Sequence, residues 1–361
     1  MRSTTFLAPV AVLTAAGCAS QPAPAPDNTP QNPTAVFETK VSSTGFGGAF
    51  PFETTEKHYV RADMRRDEHA TKGTGTFSGF LMTRMVGGEG DASIARVDRK
   101  LRWTVNNPKH EYTECPLTGC VQPGREKPEK PAEQQQPKQK AEEGCVLRLA
   151  SSKFDVTPTG AKRTVNGFSA DQYTMAWVVR LQDKQKRTTT STVNVDLWTT
   201  PVAGAMRQAL DTEAAYERAY AAAVARPSPQ VRVERGAVMP PQLVPMMTAY
   251  LAGLTPADRA ALQRAAHEFE KIKGHPVLTK IDWLVDGDAC GAKDEQQAAA
   301  PQSGTAAVVS GLGSLMGKKE PEKSGPVPLV SFTIEVKQLG VAPMHDSVFS
   351  VPAGYKLTNP K

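Results

Sequence analysis

Apolar and polar residues alternate with period two in segment after segment of this chain, and that pattern limits the possible folds more than any other feature. In Leu101-Arg102-Trp103-Thr104-Val105 the odd positions are apolar. The same holds for Tyr173, Met175, Trp177, Val179 and Leu181, and for Val193, Val195 and Leu197. In Phe332-Thr333-Ile334-Glu335-Val336 the even positions are apolar, and Ile281-Asp282-Trp283 repeats the pattern. A strand turns successive side chains to opposite faces, so such segments bury one face and wet the other, as antiparallel sheets do. The polar run Gln182–Arg187 reads as the connection of a hairpin.

Two segments with helical period interrupt the strands. Residues 203–224 are Ala-rich and carry Met206, Leu210, Tyr216 and Tyr220. In Leu254-Thr255-Pro256-Ala257-Asp258, Thr stands at the N-cap, Pro at N1 and Asp at N3. An apolar stripe of Leu262, Ala265, Ala266, Phe269 and Ile272 follows, ended by Gly274 and Pro276. The expected architecture is α+β: an antiparallel sheet in a single domain, 36–361, with a helical insertion at 203–275. Two low-complexity stretches, 122–143 and 291–325, have little to bury and read as disordered loops.

The N-terminus has the parts of an export signal. Arg2 supplies a charge, Phe6–Leu13 a short apolar run, and Ala15-Ala16-Gly17 the small residues before Cys18. The run is too short to span a bilayer, which takes about 20 residues. Ala-Ala-Gly-Cys resembles the lipobox of bacterial lipoproteins, which implies a signal peptide at 1–17 and acylation of Cys18. Residues 18–35 then form the lipidated Cys and a Pro-rich tether. Acyl chains at ~0.8 kcal/mol per buried methylene make such an anchor lasting. Ala19, where an inner-membrane retention signal would have Asp, points to the periplasmic face of the outer membrane.

Removing 1–17 takes away Arg2 and lowers the formal charge from +6 to +5. The remaining Lys and Arg are scattered among acidic and polar residues. Nucleic-acid binding has no motif behind it, and the partners expected are the membrane and a lipid or lipoprotein, with the chain itself a monomer.

Besides Cys18 there are Cys115, Cys120, Cys145 and Cys290, an even number suited to two disulfides in an oxidising compartment. Three connectivities are possible. Cys120 and Cys145 bracket the 122–143 tract, which favours Cys120–Cys145 with Cys115–Cys290. No CxxC pair or neighbouring His suggests zinc, so neither a metal nor a cofactor is expected.

No catalytic constellation stands out. Gly167-Phe168-Ser169 lacks the second Gly of a nucleophile elbow and precedes a strand, so it reads as a turn. The six histidines show no HExxH spacing.

The strand segments, in order, resemble a family of secreted bacterial proteins of unassigned function. Arg96-Val97-Asp98 resembles its "R-x-D" turn, and Tyr112-Thr113-Glu114 its "Y-x-E" strand end. Thr164–Tyr173 resembles its "I-x-G-Y-x-x-x-x-Y" step, Trp198-Thr199-Thr200 its "W-x-T" strand, and Phe349–Tyr355 its closing "F-x-V-P-x-G-Y". That family is similar to the outer-membrane lipoprotein carriers and receptors (the LolA/LolB-like group). The resemblance implies a curved antiparallel half-barrel closed by helices over an apolar cavity. Trp103, Met175, Trp177, Leu197, Trp283, Phe332 and Ile334 would then face its concave side and bind a lipid, an acyl chain or a lipoprotein without covalent chemistry. The alternative is an interaction lipoprotein whose apolar face is filled by its own core. The stretches 122–143, 203–275 and 291–325 are long relative to the family pattern.

Overall fold

The computed structural model describes residues 27–45, 51–74, 90–120, 148–224, 271–289 and 327–359. The signal peptide, Cys18, Cys145, Cys290, both low-complexity stretches and most of the 256–272 helix lie outside these residues.

Twelve strands form one sheet among the described residues. In chain order they are β1 (Gln31–Ser43), β2 (Phe52–Arg61), β3 (Met64–Gly73), β4 (Asp91–Arg96), β5 (Leu101–Asn106) and β6 (Glu111–Pro116). Then come β7 (Arg148–Val165), β8 (Phe168–Gln182), β9 (Thr188–Thr200), β10 (His275–Gly287), β11 (Val327–His345) and the short β12 (Lys356–Leu357). Their spatial order is β12-β6-β5-β4-β3-β2-β1-β11-β10-β9-β8-β7. Every pairing is antiparallel except β12 with β6. Strands β1–β6 and β7–β11 each lie in chain order; the two runs meet where β1 pairs with β11, Gln31↔His345 through Ser43↔Phe332, and β12 returns to pair with β6.

The turns follow residue chemistry. Asn166 (φ 47°) and Gly167 (φ 88°) make a two-residue hairpin loop with both central residues left-handed, which Asn-Gly adopts at least cost. This confirms the expected turn and leaves Ser169 exposed on β8, opposite Thr164. Between β8 and β9, Asp183 closes the expected connection. Its carboxylate accepts the N–H groups of Gln185 and Arg187 (both 2.9 Å) and the Arg187 Nε–H (2.7 Å).

One helix, α1 (Gly204–Ala223), is described, matching the reading of 203–224. It crosses the strands. It packs on β11, β1 and β2, bridges to Arg65 of β3, and its Tyr220 hydroxyl donates to the Leu117 carbonyl beyond β6. Twenty residues of helix measure about 30 Å, which is the width of the seven strands from β11 to β6 at ~4.8 Å spacing. Met206, Ala209 and Tyr216 bury their side chains in a cluster with Ala35, Val60, Ala95, Leu117 and Leu339. The sheet is therefore open, with β7 and β12 at its edges, and curved around the helix.

Three expectations are corrected. The tether was expected to extend to 35, but β1 begins at Gln31 and both Thr34 and Ala35 are buried, because β11 offers them a pairing partner distant in sequence. The 203–275 insertion ends a residue early, where His275 starts β10 after the left-handed Gly274. Cys115 is disulfide-bonded to Cys120, not to Cys290, and Cys120 is not bonded to Cys145. The chain reverses just after β6, with the Gly119 N–H donating to the Pro116 carbonyl, and this brings the two Cα atoms to 4.9 Å.

Candidate functional site

Strand pairing assembles an apolar wall on one face of β7–β11. One row across the sheet holds Phe154, Trp177, Val193, Trp283 and Val330. The next holds Val156, Met175, Val195, Ile281 and Phe332. The third holds Tyr173, Leu197, Thr279, Ile334 and, on β1, Val41. Met175, Leu197, Trp283 and Phe332 are at most 4% exposed, whereas Trp177 and Ile334 are half-buried. Both indole N–H groups on the wall are satisfied by a serine, Trp283 by Ser191 (2.7 Å) and Trp177 by Ser152 (3.1 Å). A buried indole needs such a partner.

The other face of the same strands is polar. A concavity of about 340 Å³ is lined there by Asp155, Thr157, Thr174, Asn194, Asp196 and Asp282. Gln172 Nε2 donates to Asp196 (2.7 Å) and Ser331 Oγ to Asp282 (2.6 Å). Near this face the β7–β8 hairpin tip reaches β11, with Asn166 Nδ2 donating to Glu335 Oε1 (3.0 Å) and the Val336 carbonyl (2.7 Å). Among the described residues no group of three or more His, Cys, Asp or Glu is arranged to hold a metal ion. None of their helices is long and apolar enough to cross a membrane.

Six of the seven residues expected to bind ligand thus share one face, in adjacent rows. Trp103 does not. The register through β5, β4, β3, β2, β1 and β11 turns it to the opposite face. There it packs with Ile94, Val105, Val351 and Tyr355, and its Nε1–H bonds Glu114 (2.8 Å). The family-like motifs meet on this side. Arg96 bonds Asp98 in a two-pronged pair (2.8 and 2.6 Å) and donates to the Phe349 carbonyl (3.2 Å). Tyr355 stacks on His110 and donates to Asn107 (2.9 Å). These residues fasten the C-terminal segment to β4–β6, which is a structural role. Sequence reading missed Phe154 and Val156 on the wall. Their alternation is visible, but the polar flanks of β7 concealed it.

A charged network joins α1 to the sheet. Asp67 sits 2.6 Å from both His58 Nδ1 and Arg65 Nε, and Arg65 reaches Glu217 (3.1 Å) and Glu213 (3.5 Å) on the helix. Burial pushes the Asp67 carboxyl up, but the His58 hydrogen bond and the Arg65 charge outweigh it and hold the group below the usual carboxylate range. For Glu213, burial dominates and raises the pKa despite Arg65. The two act in opposite directions on stability. The Asp67 contribution is present above its unfolded pKa, about 3.9, and is lost as pH falls through its lower folded value. The Glu213 contribution is present at low pH and is lost as pH rises through its raised folded value. Asp67→Asn is therefore expected to flatten the fall in urea midpoint between about pH 5 and pH 2, and Glu213→Gln to raise the midpoint at neutral pH. Urea titrations across pH check both, and an unchanged acid profile in Asp67→Asn would remove Asp67 from the account.

Set against known proteins, the chain matches no family model, no curated protein and no solved structure.

Proposed function

We propose that this chain is an envelope lipoprotein, anchored through acylated Cys18 at the periplasmic face of the outer membrane, that binds a lipid, an acyl chain or a lipoprotein along its apolar wall. The supporting observation is the wall itself: three adjacent rows of apolar side chains on one face of an open, curved sheet. Such a surface desolvates an apolar chain at about 25 cal/mol per Å² without covalent chemistry. This reading agrees with the resemblance to the LolA/LolB-like group. Native mass spectrometry of residues 19–361 made in the periplasm tests it. A co-purified mass of lipid size is expected, and Trp177→Asp should abolish it, because Trp177 stands half-buried in the first row. A clean apo mass that persists after adding phospholipid and fatty acid would end the proposal.

The second reading is an interaction lipoprotein with a filled core. It is favoured by the near-complete burial of Met175, Leu197, Trp283 and Phe332. Under it, Trp177→Asp alters stability alone and no ligand mass is seen.

A further inference from the structure

The C-terminal end of α1 rests on a disulfide loop. Cys115 of β6 is bonded to Cys120, and the loop between them turns on the left-handed Gly119 (φ 107°). Its backbone is held at two points. The Leu117 N–H donates to the Lys100 carbonyl (2.9 Å), and the Gly119 N–H to the Pro116 carbonyl (2.8 Å). Leu117 is 4% exposed and lies in the same apolar cluster as Met206, Ala209 and Tyr216 of the helix. Its carbonyl accepts the Tyr220 hydroxyl (3.3 Å), and the Tyr216 and Tyr220 rings are 5.9 Å apart. One turn back, Arg65 holds the helix through Glu213 (3.5 Å) and Glu217 (3.1 Å). The last turn of α1 is thus docked on the loop, and the middle of the helix on the sheet.

We propose that Cys115–Cys120 is a thiol–disulfide exchange site that latches the last turn of α1 to the sheet. Both cysteines are partly exposed while Leu117 between them is buried, so a reductant can reach the bond without unpacking the core. The reagent is a dithiol, as carried by a thiol oxidoreductase. Its thiolate attacks one sulfur of the bridge, forms a mixed disulfide and releases the other cysteine. Its second thiol then displaces the first. Two electrons pass to the chain, Cys115 and Cys120 become thiols, and the dithiol becomes a disulfide. A bridge with a sequence separation of 5 constrains little of the unfolded chain, so its opening acts on the loop rather than on the whole fold. Leu117 then leaves the cluster, and Tyr220 loses its acceptor. The rest of the helix keeps its packing on β11, β1 and β2 and its pairs with Arg65. Reoxidation docks the turn again.

Peptide-resolved hydrogen exchange of the full chain in detergent, with dithiothreitol as the reductant, tests this. Reduction is expected to lower amide protection over 217–223 about tenfold or more. Protection over 206–212 and the circular dichroism of the sheet should be unchanged, and reoxidation should reverse the loss. The double variant Cys115→Ser with Cys120→Ser, which removes this bridge alone, should show the same loss without dithiothreitol. Leu117→Ala should loosen the same turn in the oxidised chain. Unchanged protection over 217–223 in the double variant overturns the proposal. So does a loss that spreads through the sheet, which would make the bridge a staple of the whole fold, or a bridge that dithiothreitol opens only in urea.

Discussion

Replacing Phe349 with Ala is expected to lower unfolding stability by about 4 kcal/mol, as deletion of a large buried aromatic side chain does. Phe349 is 0% exposed and heads the largest fully buried side chains of the described residues. It sits in a short 3-10 turn, Asp346–Phe349, after β11, and opens the Phe349–Tyr355 segment. Three arginines hold that turn to the sheet. The Arg61 guanidinium lies 4.7 Å from the Phe349 ring centre and donates to Asp346 (2.6 Å) and to the Met344 carbonyl (2.9 Å). Arg66 donates to the Val348 carbonyl (3.2 Å), and Arg96 to that of Phe349 (3.2 Å). The ring is thus the apolar centre of an otherwise polar fastening, and its loss leaves a cavity beneath Arg61. Total stabilities run to about 5–15 kcal/mol, so the variant should unfold at a much lower urea midpoint. Phe349→Leu, which refills most of the volume, should cost about 1 kcal/mol. A loss below 1 kcal/mol for the alanine variant would mean that the C-terminal segment contributes little to the fold.

Asp183→Ala is expected to cost about 3 kcal/mol, since it removes the acceptor of two backbone N–H groups and a buried carboxylate paired with Arg187. The Asp183 side chain is 0% exposed and that of Arg187 is 29% exposed. One carboxylate satisfies two backbone N–H groups and the guanidinium, and the Asp183 N–H closes the loop on the Arg187 carbonyl (3.1 Å). Asp183→Asn keeps an oxygen for the two backbone donors and should cost about 1 kcal/mol. The turn also sets the β8–β9 register, from Gln182↔Thr188 to Asp171↔Thr199, that lines up Trp177 with Val193 and Met175 with Val195. A slip of one residue would turn those side chains to the polar face. Urea unfolding of the two variants checks the ordering, and equal losses would show that charge, not the paired N–H groups, sets the cost.

Those features of the fold whose causes are local can be read along the chain. Period-two alternation marked β5, β8, β9, β10 and β11, helical period marked α1, and the Asp183–Arg187 turn was legible from composition. These signals arise within a few residues, because side-chain direction and turn chemistry depend on backbone geometry there. The remainder depends on contacts between segments far apart in sequence. Alternation says that one face of a strand is buried without saying which face of the finished sheet it becomes. Trp103 and Trp177 look equivalent along the chain, yet the β1–β11 pairing sends them to opposite faces. Gln31–Ala35 reads as tether and becomes strand only because β11 lies beside it. Cys115 and Cys120 pair because the chain reverses at Gly119 and brings them together, whatever polar tract lies beyond. Strand β7 is too polar to announce itself, since an edge strand buries little, and its place follows from the strand it joins.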